Sequence, residues 1–205
     1  MSAHDHQAGV LPAHPESATL EGKNKLLGFW LFLGGETVLF GTFFATFLAL
    51  RNQVMGGKTG AELFHLSIVA TATVLLLTSS LFSVLAVQAM NRKDVKGIQL
   101  WLFVTVLFGA GFLGLEIYEF INYVKEGHTI SANAFGSSFY ALVGFHGGHV
   151  AFGLMWISLL IAQLRKKGLT TVTAPKIYVA SLYWHFIDVV WVFIFTVVYL
   201  MGKVG

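Results

Sequence analysis

Residues 181–195 read SLYWHFIDVVWVFIF. Most of the run is aliphatic or aromatic, as a helix crossing lipid requires. Yet it holds His185 and Asp188, three positions apart, inside the apolar stretch. Residues i and i+3 share a helix face. A charged side chain at the bilayer centre costs about 2.5–3.5 kcal/mol on insertion scales. The run therefore predicts a membrane helix that turns one face towards protein. On that face His185 and Asp188 bond each other or neighbouring helices.

The rest of the chain fits a membrane setting. Of its 205 residues, 56% are hydrophobic and only 11% charged, where soluble domains carry about a quarter. Cysteine is absent, which excludes disulfides, thiolate-held iron–sulfur clusters and thiolate haem ligation. The formal net charge is +3. The basic residues fall at the ends of apolar runs, so no nucleic-acid patch forms.

A bilayer core of ~30 Å needs about 20 apolar residues in a helix. Five stretches qualify: Leu27 to Leu50, and about Leu66 to Met90, Ile98 to Tyr123, Phe135 to Leu164 and Ile177 to Met201. The expected fold is an all-α integral membrane bundle of five transmembrane helices, spanning residues 26–205. Residues 1–25 are polar, carry Pro12 and Pro15, and lack the apolar core of a signal peptide. They are read as a mobile cytoplasmic tail. Its histidines are His4, His6 and His14, and Ser2-Ala3-His4 could chelate copper or nickel if Met1 were removed. A solvated tail is the favoured reading.

All three prolines, including Pro175, are placed outside the spans, where they leave the helix ladders intact. With the N-terminus inside, the inner segments hold nine basic residues (Lys23, Lys25, Arg92, Lys93, Lys96, Arg165, Lys166, Lys167, Lys176). The outer ones hold four: Arg51, Lys58, Lys125 and Lys203. The positive-inside tendency then predicts N-in and C-out. Glycines in the first, third and fourth spans mark faces where helices approach closely. No internal repeat is visible, so an inverted-repeat transporter gains no support.

At 1.5 Å per residue, Glu36 lies ~14 Å and Asp188 ~16 Å from the inner ends of their spans. His185 is slightly shallower. His146 and His149, entering from the outer side, reach the middle too. These five groups on three helices are expected to form one buried polar layer. A structural role is favoured over catalysis for His185 and Asp188, and over metal ligation for His146 and His149. Glu116 and Glu119 form a further i, i+3 pair near the outer interface, where solvation makes a surface role at least even. Glu36 has no basic neighbour on its own helix, so its partner must come from another. Two rival functions use these groups differently: a self-standing membrane cytochrome with haem between the histidines, and a proton-coupled transporter with a Glu36–Asp188 relay.

Four blocks carry a family resemblance: GFWLFLGGETVLFGTFFATF in the first span, LGLEIYEF in the third, GFHGGHVAFG in the fourth and SLYWHFIDVVWVFIF in the fifth. In this order and over most of the chain they resemble subunit III of haem–copper respiratory oxidases, in a short five-span bacterial form. The wording is closest to the cytochrome c oxidases, with the quinol oxidases as the alternative. The resemblance implies a non-catalytic subunit of a proton-translocating oxidase in a bacterial cell membrane. It implies haem and copper in partner subunits and none in this chain. It implies direct contact with subunit I, neighbours in subunit II and a small subunit IV, and bound phospholipid in a cleft. Cytochrome c or quinol would be the donor to the complex. The implied role is to sustain proton uptake and protect the catalytic subunit. Glu36 matches the family's buried, carbodiimide-reactive carboxyl. His146, His149, His185 and Asp188 match its paired polar residues, read as structural. Trp30 and Phe47 are read as packing residues.

Overall fold

The computed structural model describes residues 12, 14–53, 66–125, 127, 129–131 and 133–204. His4, His6 and Lys58 lie outside the described residues. Five long helices are present: α1 (Leu20–Leu50), α2 (Leu66–Asn91), α3 (Val95–Lys125), α4 (Ala134–Lys167) and α5 (Thr173–Ile194). A π-helical segment, Phe195–Leu200, and a last turn, Met201–Val204, continue α5. All five helices are long and apolar enough to cross a membrane.

The helices overrun their apolar cores because polar caps close their ends. Thr19 Oγ1 accepts from Gly22 N at 3.0 Å, so α1 starts at Leu20, within the segment read as tail. Asp94 Oδ1 accepts from Gly97 N at 3.0 Å and opens α3 after a tight turn at Lys93, whose φ is 59°. Asn133 Oδ1 accepts from Gly136 N at 2.7 Å and opens α4. Gly168 ends α4 with φ of 62°, a left-handed value that favours glycine. Thr173 Oγ1 then accepts from Thr170 N and donates to the Gly168 carbonyl, which folds the chain directly into α5. One expectation is corrected here. Pro175 lies inside α5, but in its first turn, where a missing N–H breaks no helical bond.

Neighbouring helices α2–α3, α3–α4, α4–α5 and α2–α5 all pack together, which closes a four-helix ring. Helix α1 lies outside it, against α4 and α5. The ring is filled by Trp184, Trp191, Phe112, Phe139 and Tyr199, each at most 1% exposed. Trp184 fits because two helices carry no side chain beside it. A Cβ on Gly109 of α3 would lie 2.6 Å from the indole, and one on Gly153 of α4 would lie 3.0 Å from it. Phe47 is buried as expected, whereas Trp30 is 58% exposed and faces outwards from α1.

Candidate functional site

Glu36 finds its partner on α4. Its Oε2 lies 3.2 Å from His149 Nε2, with both side chains 15% exposed. The second ring nitrogen of His149 is 2.9 Å from the Phe145 carbonyl. Phe40 and Phe145 pack on the imidazole at centroid distances of 5.2 and 4.6 Å. Tyr183 of α5 donates to the His149 carbonyl at 3.0 Å. A carboxyl, an imidazole and a phenol thus tie the outlying α1 to the ring through α4 and α5.

The pair stands beside an open cleft. A groove of about 360 Å³ is lined by Phe32, Phe145, His149, Phe152 and Tyr183. A second, of about 340 Å³, shares Phe32 and continues past Phe29 and Trp156 to Lys25 and Lys176. The two grooves together present an aromatic trough with a polar pair at one end and two ammonium groups at the other. Lys25 also pairs with Glu21 at 2.6 Å, and Lys176 donates to Gln163 at 3.4 Å.

The single polar layer expected from depth divides instead into separate sites. His146 and His149 are one helical turn apart but point to different sides of α4. His146 turns into the ring, stacked on Trp191 at 5.2 Å and edge-on to Phe112 at 6.0 Å. It is fully buried, and neither ring nitrogen has a hydrogen-bond partner among the described residues. His185 bonds Ser80 of α2 through Nδ1 at 2.7 Å, and no bond joins it to Asp188. Asp188 is 7% exposed, and its Oδ1 has no partner among the described residues.

A surface role for Glu116 and Glu119 is overturned, because both are 4% exposed. Tyr123 donates to Glu119 Oε1, and Tyr199 donates to its Oε2 at 3.5 Å. The π-helical segment carries Tyr199 into that position. Glu116 lies over Gly147, where a Cβ would sit 2.9 Å from its Oε1, and its two oxygens have no partner among the described residues.

The reading of the sequence missed the polar side of α2. Trp191 Nε1 donates to Thr73 Oγ1 at 2.9 Å, and Trp184 Nε1 donates to Ser79 Oγ at 2.9 Å. Ser83 and Ser181 meet at 2.8 Å. With Ser80–His185 these bonds form a ladder between α2 and α5. Its signal was in the sequence: Thr73, Ser79, Ser80 and Ser83 are small polar residues in an apolar span, a usual mark of helix contacts.

Among the described residues, no three His, Asp or Glu side chains converge as a metal-ligand set. Within the spans, His149 meets Glu36, His185 meets Ser80, and His146 stacks on Trp191.

Comparison with known proteins accords with the block-level resemblance. The family described as Cytochrome c oxidase subunit III matches residues 10–203. Cytochrome c oxidase subunit 3 of Bacillus sp. (strain PS3) is 65% identical over 199 residues, covering 97% of this chain and 96% of the relative. The protein of the same name from Bacillus subtilis (strain 168) gives the same identity and coverage. Quinol oxidase subunit 3 of Bacillus subtilis (strain 168) is 50% identical over 201 residues, covering 98% of each.

Proposed function

The chain belongs to the cytochrome c oxidase subunit III family, and from that premise we propose that it is a non-catalytic scaffold that binds the catalytic subunit and phospholipid. Haem and copper then reside in the partner subunits, in a bacterial cell membrane. This chain holds the lipid-lined wall beside the catalytic subunit, sustains proton uptake there and limits inactivation during turnover. Residues 26–205 act as the membrane domain, N-terminus inside, with residues before them on the cytoplasmic side.

The observation that carries this reading is the Glu36–His149 pair at the end of an open aromatic trough. Phe32, Phe145, Phe152 and Tyr183 offer acyl chains an apolar surface, and Lys25 and Lys176 suit a phosphate at the trough's inner end. Cytochrome c as the donor is favoured by the higher identity to relatives named for it, 65% against 50% for the quinol oxidase subunit. The test is to purify the intact oxidase in mild detergent and extract its lipid. A retained phospholipid lost on widening the trough by Phe152→Ala supports the role. Unchanged lipid content and unchanged inactivation during turnover would overturn it. Oxidation of reduced cytochrome c, set against oxidation of quinol, decides the donor.

A further inference from the structure

We infer that Glu116 is a proton-binding site closed inside the ring: it holds a proton as a neutral acid, while Glu119, one turn along α3, accepts the hydrogen bonds of two phenols.

Among the described residues, Glu116 is the one acid whose two carboxyl oxygens are both enclosed and unpartnered. Its carboxyl lies against α4 because Gly147 has no side chain. A Cβ there would stand 2.9 Å from Oε1 and 3.2 Å from both Oε2 and the carboxyl carbon. Glu119 is served differently. Tyr123 donates to one of its oxygens and Tyr199 to the other. Two acids three residues apart share a helix face and an interior, and the phenols go to only one of them.

The groups around Glu116 bring it no positive charge. On α3 its ionisable neighbours are Glu119 and Tyr123. On α4 there is His146, fully buried, whose two ring nitrogens are unpartnered and so not bonded to Glu116. Helix α5 brings Tyr199, which donates to Glu119, and Trp191, whose N–H donates to Thr73 of α2. Thr73 itself donates to the Val69 carbonyl. No lysine or arginine among the described residues is buried.

An unpaired carboxylate in an apolar interior is so costly that such a group is neutralised instead. Whatever neutralises Glu116 must also fit. A water needs room and two to four polar partners, and both oxygens are enclosed. A metal ion needs a shell of several ligands, and among the described residues no three His, Asp or Glu side chains converge. A proton needs neither room nor a shell.

The test uses the intact oxidase at neutral pH. Infrared difference spectra, parent minus Glu116→Gln, should show an un-ionised carboxyl band that the parent has and the variant lacks. Glu119→Gln should leave that band in place. Glu116→Leu, which is never charged, should lose the same band, and it carries the test where the Gln chain fails to assemble. Failure of both uncharged variants to assemble would overturn the inference, because a neutral, unbonded acid supplies no charge that they lack. Loss of ionised carboxylate bands from Glu116→Gln would overturn it too. A band lost from Glu119→Gln and kept in Glu116→Gln would seat the proton on the other acid. A melting temperature that rises with sodium in the parent, and not in Glu116→Gln, would replace the proton with a metal ion.

Discussion

Glu36 and His149 face each other across two helices at 3.2 Å, and each is the other's cross-helix partner. Truncating one leaves the other in a mostly apolar wall, which costs about 1–3 kcal/mol. Glu36→Ala should therefore lower the melting temperature of the detergent-solubilised chain. Glu36→Gln, which keeps an oxygen for His149, should lower it less. Equal losses for the two would remove the hydrogen bond from the account. Trp184 gives a cleaner case, because its N–H is buried and has one partner, Ser79. Ser79→Ala should cost about 1–2 kcal/mol in thermal or chemical unfolding, with little change in packing volume. The sequence made Glu36 legible, since a lone intramembrane carboxyl demands a partner elsewhere. It also placed His149 at a matching depth. Depth alone did not reveal direction. His146 and His149 are one turn apart, yet one faces Trp191 and the other Glu36, because α4 is surrounded by α1, α3 and α5. The serines of α2 were passed over because single hydroxyls signal less than charges do.

The helices themselves were readable from runs of about 20 apolar residues, and their ends were not. The Thr19 cap starts its helix at Leu20, about two turns before the apolar run, and the Asp94 cap starts its helix at Val95, just under a turn before it, which hydropathy does not register. Pro175 sits within α5 for the same reason: a first turn tolerates it. Contact between elements depends on absent side chains. Gly109 and Gly153 leave room for Trp184, which in turn reaches Ser79 on α2. One indole thus joins four helices. A methyl on Gly109 would come within 2.7 Å of two indole carbons and within 2.9 Å of Leu154. All three are packed, so the helices must separate. Gly109→Ala should destabilise the bundle by about 1–3 kcal/mol, and Gly114→Ala, with nothing within 4 Å of its Cβ, should not. Melting curves of the two variants side by side check this. Similar curves would mean that Trp184 moves aside at no cost.

At the scale of the whole molecule, α2 to α5 form a closed ring and α1 is attached to its flank. The polar contacts follow that division. One set of bonds closes the ring between α2 and α5, and one pair fastens α1 beside the trough. The proposed N-in orientation rests on a count of nine inner against four outer basic residues. The chain has no cysteine of its own, so single introduced thiols report it without background. A thiol at Lys166 should react with an impermeant reagent only in inside-out vesicles, and one at Asn52 only in right-side-out cells. The opposite pattern would invert the bundle and carry Lys25 and Lys176 to the outer leaflet. The proposed non-catalytic role has its own test in the haem spectrum. Glu36 and His149 are engaged with each other and the described residues contain no converged ligand set. Glu36→Ala in the assembled oxidase should therefore leave the haem absorption spectrum unaltered while abolishing carbodiimide labelling of this subunit. Loss of a haem band would show that a carboxyl in this chain supports a redox centre directly. Retained labelling would move the reactive group to another buried carboxyl, Glu116, Glu119 or Asp188.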